Sequence, residues 1–181
     1  MTEEQNTDPV LNPEDVTTAQ FMIQKLYTKD VSFELPNAPE VFKEQGQADV
    51  KMNLAQRVDE LGDGLHEIVL TVTVTASLGE KTAYLAEVAQ AGIFLISGFN
   101  EQTTHAVINT LCPSALFPYA RRAISSLVIE GGFPPLVLQP VNFDQLYARR
   151  MQELMKQQNA GGANGQSEES IVAAEFPGEN Q

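Results

Sequence analysis

The sequence predicts an α+β fold: a four-stranded antiparallel sheet with two C-terminal helices packed on one face. Three observations lead there. Before Gly98, apolar residues alternate with polar ones, the period of a strand that buries one face. After Thr103 they recur at three- and four-residue spacing, the stripe of an amphipathic helix. Strands first and helices afterwards is a segregated order, unlike the alternation that builds a parallel sheet.

The elements follow in order. Residues 1–18 are acidic and broken by Pro9 and Pro13, which predicts a disordered tail ahead of a single domain over 19–158. A first strand starts at Phe21, with Phe21, Ile23, Tyr27, Val31, Phe33 and Leu35 on one face. Gln24, Thr28, Asp30, Ser32 and Glu34 take the other, so Asp30 and Glu34 stand together on a wet face. Pro36 and Pro39 end this strand, and a crossover loop runs to Gly46. Ala48–Arg57 forms the second strand, with Val50, Met52 and Leu54 on one side, and Leu61–Gly64 forms a turn.

Glu67–Gly98 is a long hairpin turning at Gly79. Its first arm sets Ile68, Leu70, Val72, Val74 and Ala76 against Val69, Thr71, Thr73, Thr75 and Ser77. Its second arm sets Tyr84, Ala86 and Val88 against Leu85 and Glu87. The helical region Thr103–Glu130 carries Pro113 and Pro118, so a short first segment breaks before a main helix from about Pro113. Phe133–Val141 is a proline-stiffened connector. Asn142, with Gln145 three residues on, caps a second helix striped by Phe143, Leu146, Tyr147 and Leu154. Residues 159–181 predict a second disordered acidic tail.

The totals narrow the function. The 181 residues suffice for a real core. A formal net charge of −13 argues against binding a phosphate backbone and permits basic partners. The single cysteine, Cys112, excludes an intramolecular disulfide and suits a reducing compartment. The acidic N-terminus lacks a signal-peptide pattern, and no apolar run approaches the roughly 20 residues of a membrane span. These readings predict a soluble cytoplasmic protein.

The inventory for catalysis is thin. His66 and His105 are far apart in sequence and expected at the surface, with no metal-ligand spacing. Cys112 precedes a helix start, where a thiolate is stabilised, but a small packing residue is the simpler reading. No phosphate-binding or nucleophile-elbow motif occurs. The expectation is a binding protein with no catalytic residues, cofactor or metal. Two helices cover one face of a sheet that has two, and the surplus apolar surface points to an oligomer. An apolar small-molecule or lipid carrier and an enzyme built on Cys112 are the readings from other classes.

Tyr27–Pro39 (YTKDVSFELPNAP), Thr71–Gly79 (TVTVTASLG), Phe117–Arg121 (FPYAR) and Phe133–Tyr147 (FPPLVLQPVNFDQLY) together resemble the bacterial protein-export chaperone family SecB. The resemblance spans roughly Phe21 to Leu154. It implies a homotetramer, a dimer of dimers whose helices lie between two eight-stranded sheets. It implies an ATP-independent chaperone that holds newly made precursors unfolded and passes them to the SecA ATPase for export. The family's SecA-contacting positions match Asp30, Glu34, Leu85 and Glu87. Its tetramer-packing positions match Tyr84, Ala86, Val88 and Gln90, although relatives often carry phenylalanine and cysteine in place of Tyr84 and Ala86. The client groove points to Val50, Met52, Leu54, Leu136, Val137, Leu138, Phe143, Leu146 and Tyr147, with Gly46 where many relatives have a tryptophan. Some relatives serve toxin–antitoxin systems, and the acidic docking residues favour export.

Overall fold

The structure, a computed structural model, describes residues 18–159 and 176–177. Strands β1 (Gln20–Glu34), β2 (Asp49–Gly62), β3 (Leu65–Leu78) and β4 (Lys81–Ser97) precede helices α1 (Glu101–Asn109), α2 (Leu111–Glu130) and α3 (Phe143–Asn159). A two-residue strand, β5 (Phe176–Pro177), returns to the sheet, whose order is β1-β4-β3-β2-β5 with every pairing antiparallel. The tails expected at 1–18 and 159–181 otherwise lie outside the described residues.

The sheet order explains the crossover. β1 and β2 are consecutive in sequence but sit at opposite sides of the β4-β3 pair. The chain crosses between them through a single 3-10 turn, Glu40–Lys43, anchored by the fully buried Val41. The two hairpins, β2-β3 and β3-β4, need only tight turns, and Gly64 adopts φ +74° in the first of them.

Period two gives the sheet its sides. Leu54, Ile68, Leu70, Val72, Val74, Ala86, Val88 and Phe94 face the helices and are fully buried. Thr71, Thr73 and Thr75 face the opposite, open side and stay half-buried. Helix α2 lies over β3 and β4 and lowers Cys112, Leu116, Ala120, Ile124 and Val128 onto them. Cys112 is fully buried, and burial pushes its thiol up to about 12, so it packs as a small apolar residue.

β1 corrects the simple alternation. The register against β4 shifts between Ile23 and Lys25 and again between Thr28 and Asp30. Each shift is a bulge that inserts one residue and exchanges the faces. Phe21, Ile23, Leu26, Thr28, Val31 and Phe33 therefore face the helix side, while Tyr27 joins Asp30, Ser32 and Glu34 on the open side. Unbroken alternation would drive Lys25 and Lys29 towards the core, at a cost that the bulges avoid.

Among the described residues the helices number three because the break falls at Thr110, ahead of Pro113. Side chains take the last carbonyls of α1: Asn109 Nδ2 donates to His105 O, Thr110 Oγ1 to Ala106 O, and Gln56 Nε2 to Ile108 O. Pro113 is then the third residue of α2, where no intrahelical donor is required. Asn100 and Asn142 cap α1 and α3 by accepting from the backbone N–H of Thr103 and Gln145.

The C-terminus of α2 meets β1 closely. A Cβ placed on Gly131 would stand 2.4 Å from the Phe33 ring, which itself stacks on Tyr84 at 5.9 Å. Gly131→Ala is expected to destabilise the fold by about 1–3 kcal/mol through overpacking, read as a lower urea midpoint at unchanged slope.

Candidate functional site

The pairing register turns the open face into a grid. Four rows run across β1, β4, β3 and β2: Glu34–Leu85–Thr75–Lys51, Ser32–Glu87–Thr73–Asn53, Asp30–Ala89–Thr71–Ala55 and Tyr27–Ala91–Val69–Arg57. Asp30, Glu34, Leu85 and Glu87 are thus brought onto one corner of one face. Successive rows lie about 7 Å apart and neighbouring strands about 5 Å, so the three carboxylates surround Leu85 and Ser32 within a peptide-sized area. Asp30 and Glu34 are exposed, and Leu85 and Glu87 half-buried. The Thr73 hydroxyl donates to Glu87 Oε2 at 2.7 Å and fixes that carboxylate against the sheet. The corner offers fixed negative charge around an apolar side chain, which suits a basic segment with an apolar anchor.

The other half of the open face carries a cluster that the sequence did not reveal. Glu67 accepts from the Tyr27 hydroxyl and from Lys29 Nζ, with N–O distances of 2.6 and 2.8 Å to Lys29, and Arg57 stands at 3.5 Å. The Lys29 ammonium, then the Tyr27 hydroxyl, hold the Glu67 carboxyl below the usual carboxylate range. The same hydrogen bond, with burial second, raises Tyr27 above its ordinary value. Tyr27 and Lys29 reach Glu67 because of the two bulges. No sequence signal announces a bulge, and the partners lie on strands separated by much of the chain.

Tyr84, Ala86, Val88 and Gln90 lie on the helix face of β4 and are buried within the chain itself. Gln90 accepts from Thr28 Oγ1 and donates to the Tyr27 carbonyl, which ties β4 to the bulged part of β1. Tyr84 packs between Phe33 and Phe133, at 5.9 and 5.0 Å between ring centres.

The residues assigned to a client groove divide between depths. Val50, Met52 and Leu54 are buried on the helix face of β2, and Leu138 and Phe143 are buried beside α2. Leu136, Leu146 and Tyr147 are half-buried, and Val137 is 67% exposed. The crossover turn and the connector touch through Phe42, itself 51% exposed, whose ring lies 5.3 Å from that of Phe133. Helix α3 is attached lightly: Phe143 packs edge-on against Phe117, and the Tyr147 hydroxyl meets His105 Nδ1 at 2.9 Å. His105 is therefore half-buried under α3 rather than at the surface, and His66 is half-buried beside the Gly64 carbonyl. Among the described residues no group of histidine, cysteine and carboxylate side chains is arranged to hold a metal ion. Nor, among the described residues, is any helix long and apolar enough to cross a membrane.

The Glu67 cluster makes a testable contribution to stability. A carboxyl held below its unfolded range stabilises the fold above that range and loses the contribution as pH falls through its folded value. Glu67→Gln is expected to lower stability at neutral pH and to flatten the decline on acidification, measured by urea denaturation across a pH series.

Comparison with known proteins places this geometry. The SecB family, described as preprotein translocase subunit SecB, matches residues 14–154. A protein-export protein SecB of Methylococcus capsulatus is 55% identical over 141 residues, covering 78% of this chain and 90% of the relative. Those of Alkalilimnicola ehrlichii and Stenotrophomonas maltophilia are 48% and 46% identical, covering 85% and 87% of this chain and 85% and 92% of theirs. Among solved structures, a Mycobacterium tuberculosis SecB-like chaperone in complex with an antitoxin peptide shares the fold at a TM-score of 0.54 and 17% identity, over 67% of this chain and 91% of that one. With a family match across most of its length and relatives this close, the chain belongs to the SecB family.

Proposed function

We propose that this protein is an ATP-independent chaperone of the cytoplasm that holds newly synthesised precursors unfolded and delivers them to SecA for export across the inner membrane. The observation that carries this reading is 55% identity, over 78% of the chain, to a protein-export protein SecB. The toxin–antitoxin alternative has only a 17% identical structural neighbour in its favour.

The work requires no catalyst. Unfolded precursors expose apolar segments that folding hides, and a protein that binds only the unfolded form lowers the concentration free to fold or aggregate. Burial of apolar area is non-directional, so a groove walled by aliphatic side chains accepts many sequences. The groove would follow the connector, from its contact with the crossover turn at Phe42–Phe133 to its junction with α3 at Phe143, beside the buried side chains of β2. Leu136, Val137, Leu146 and Tyr147 form its accessible wall, and Leu138, Phe143, Val50, Met52 and Leu54 form a floor that opens when the connector or α3 shifts. The light attachment of α3 supports that opening. Met52 adds a side chain that adapts to varied clients.

Assembly follows from the free edge and the helix layer. Among the described residues β1 leaves one edge of the sheet open and exposes Met22, Ile23 and Val31 at 53, 42 and 45%. Two copies joined through β1 would make an eight-stranded sheet, satisfying an edge that otherwise invites uncontrolled pairing. Leu111, Tyr119 and Ile129 point outward from α2, at 47, 49 and 53% exposure, and would meet a second dimer. Tyr84, Ala86, Val88 and Gln90 would act on this assembly from beneath, by setting the seat of α2 and the path of β1. Several grooves on one tetramer bind a long chain together, which raises avidity without new contacts. Light scattering is expected to give four times 19.8 kDa, and the particle to capture an unfolded chain while ignoring its folded form. A monomer indifferent to unfolded protein would sink the reading.

Asp30, Glu34, Leu85 and Glu87 are the SecA-docking corner. Glu87→Lys is expected to weaken SecA binding about tenfold or more while leaving the tetramer mass unchanged, because the charge stands on the open face. Raising ionic strength should weaken the wild-type association in the same direction. Loss of the tetramer in that variant would instead make Glu87 a packing residue.

A further inference from the structure

The two long edges of the sheet are treated differently. Among the described residues β1 is paired on one side only, whereas β2 meets a returning segment of its own chain. Phe176 pairs with Met52 and Pro177 with Lys51, in antiparallel register. We propose that the edge of β2 at Lys51–Met52 is a strand-addition site for extended polypeptide, and that Phe176–Pro177 occupies it as a built-in competitor of unfolded clients. The competition rests on the holding-chaperone reading above.

An edge strand offers a row of unpaired N–H and C=O groups, which bind an extended chain through its backbone whatever its side chains. That tolerance is what a binder of many unfolded sequences needs. β2 also supplies Val50, Met52 and Leu54 to the groove floor, so a client added along this edge would lie beside the apolar residues that attract it. The returning pair sits at the centre of that stretch.

The occupant is suited to temporary cover. A two-residue pairing is weak and is displaced by a longer strand. Pro177 has no N–H, so the returning segment offers one ladder donor fewer than an ordinary strand of its length. Its tether gives it an effective concentration in the millimolar range, enough to shield the edge when clients are scarce. In the sequence, Ile171-Val172-Ala173-Ala174 leads into this pair and is the one apolar run in an otherwise polar tail.

The test is a disulfide that locks the pair. Lys51→Cys and Pro177→Cys put cysteines at directly opposed positions, within the span of a disulfide. Native Cys112 is fully buried and does not compete. Asp59→Cys with Pro177→Cys, further along β2, is the register control. Oxidation of the full chain is expected to cross-link the first pair within one chain and not the second. The locked protein should capture reduced, carboxymethylated α-lactalbumin about tenfold more weakly than the same variant after reduction, as expected for a competitor tethered at millimolar effective concentration. Cross-linking of both pairs alike, or only between chains, overturns the seating. A locked protein that captures the probe as well as the reduced one overturns the competition. A wild-type chain that ignores the probe sinks the chaperone reading and the competition with it, while the cross-link still reports the seating.

Discussion

The structure depends on the burial of the helix face of the β3-β4 hairpin under α2. β3 brings Ile68, Leu70, Val72 and Val74, and β4 brings Ala86, Val88 and Phe94, all with no exposed surface. Leu116, Ala120, Ile124 and Val128 answer from α2. Each large apolar side chain buried here is worth about 1.5–3 kcal/mol, and truncating one costs more because a cavity remains. An exposed ion pair contributes about 0–1 kcal/mol. The packed face therefore decides the register of the sheet, and the polar open face takes the arrangement that this register imposes.

β1 shows that hierarchy. Its sequence holds two lysines where strict alternation would turn side chains inward, and the strand bulges twice to keep them out. The consequence is chemical. The bulges carry Tyr27 and Lys29 to Glu67, lower that carboxyl, and leave Asp30, Ser32 and Glu34 in step with Glu87. One half of the open face is thereby internally neutralised, and the other keeps three carboxylates around Leu85. The proposed docking corner keeps the face that unbroken alternation would also give it, because the second bulge undoes the exchange made by the first.

The helix layer separates rigid from loosely held parts. The end of α1 is held by Asn109 and Thr110 and tied to β2 by Gln56, which take its last carbonyls, and α2 is pressed into the sheet. α3 rests on the buried Phe143, the half-buried Leu146 and one hydroxyl–imidazole contact. A holding chaperone needs a stable frame beside an element that yields to a client. In the ledger of contacts, α3 and the connector are the parts with least to lose by moving.

Much of this was legible in the residues. The order of strands before helices, the two sides of β3 and β4, the crossover loop and the cap at Asn142 are written in local periods and local donors. So was the shared face of Asp30 and Glu34, because two bulges restore the parity that one would have reversed; their grouping with Leu85 and Glu87 was implied by the resemblance to the SecB family. The Glu67 cluster, the attachment of His105 to Tyr147, the exact residue at which the expected helix break falls and the return of Phe176–Pro177 to β2 were not legible. Each joins groups whose neighbourhood depends on how distant strands and helices pack, and a bulge changes no residue type that a period could register. The sequence by itself determined which side chains seek burial and at what spacing. Only the tertiary structure decided which strands lie side by side and at what register, because those choices are made between segments by the shape of the shared core.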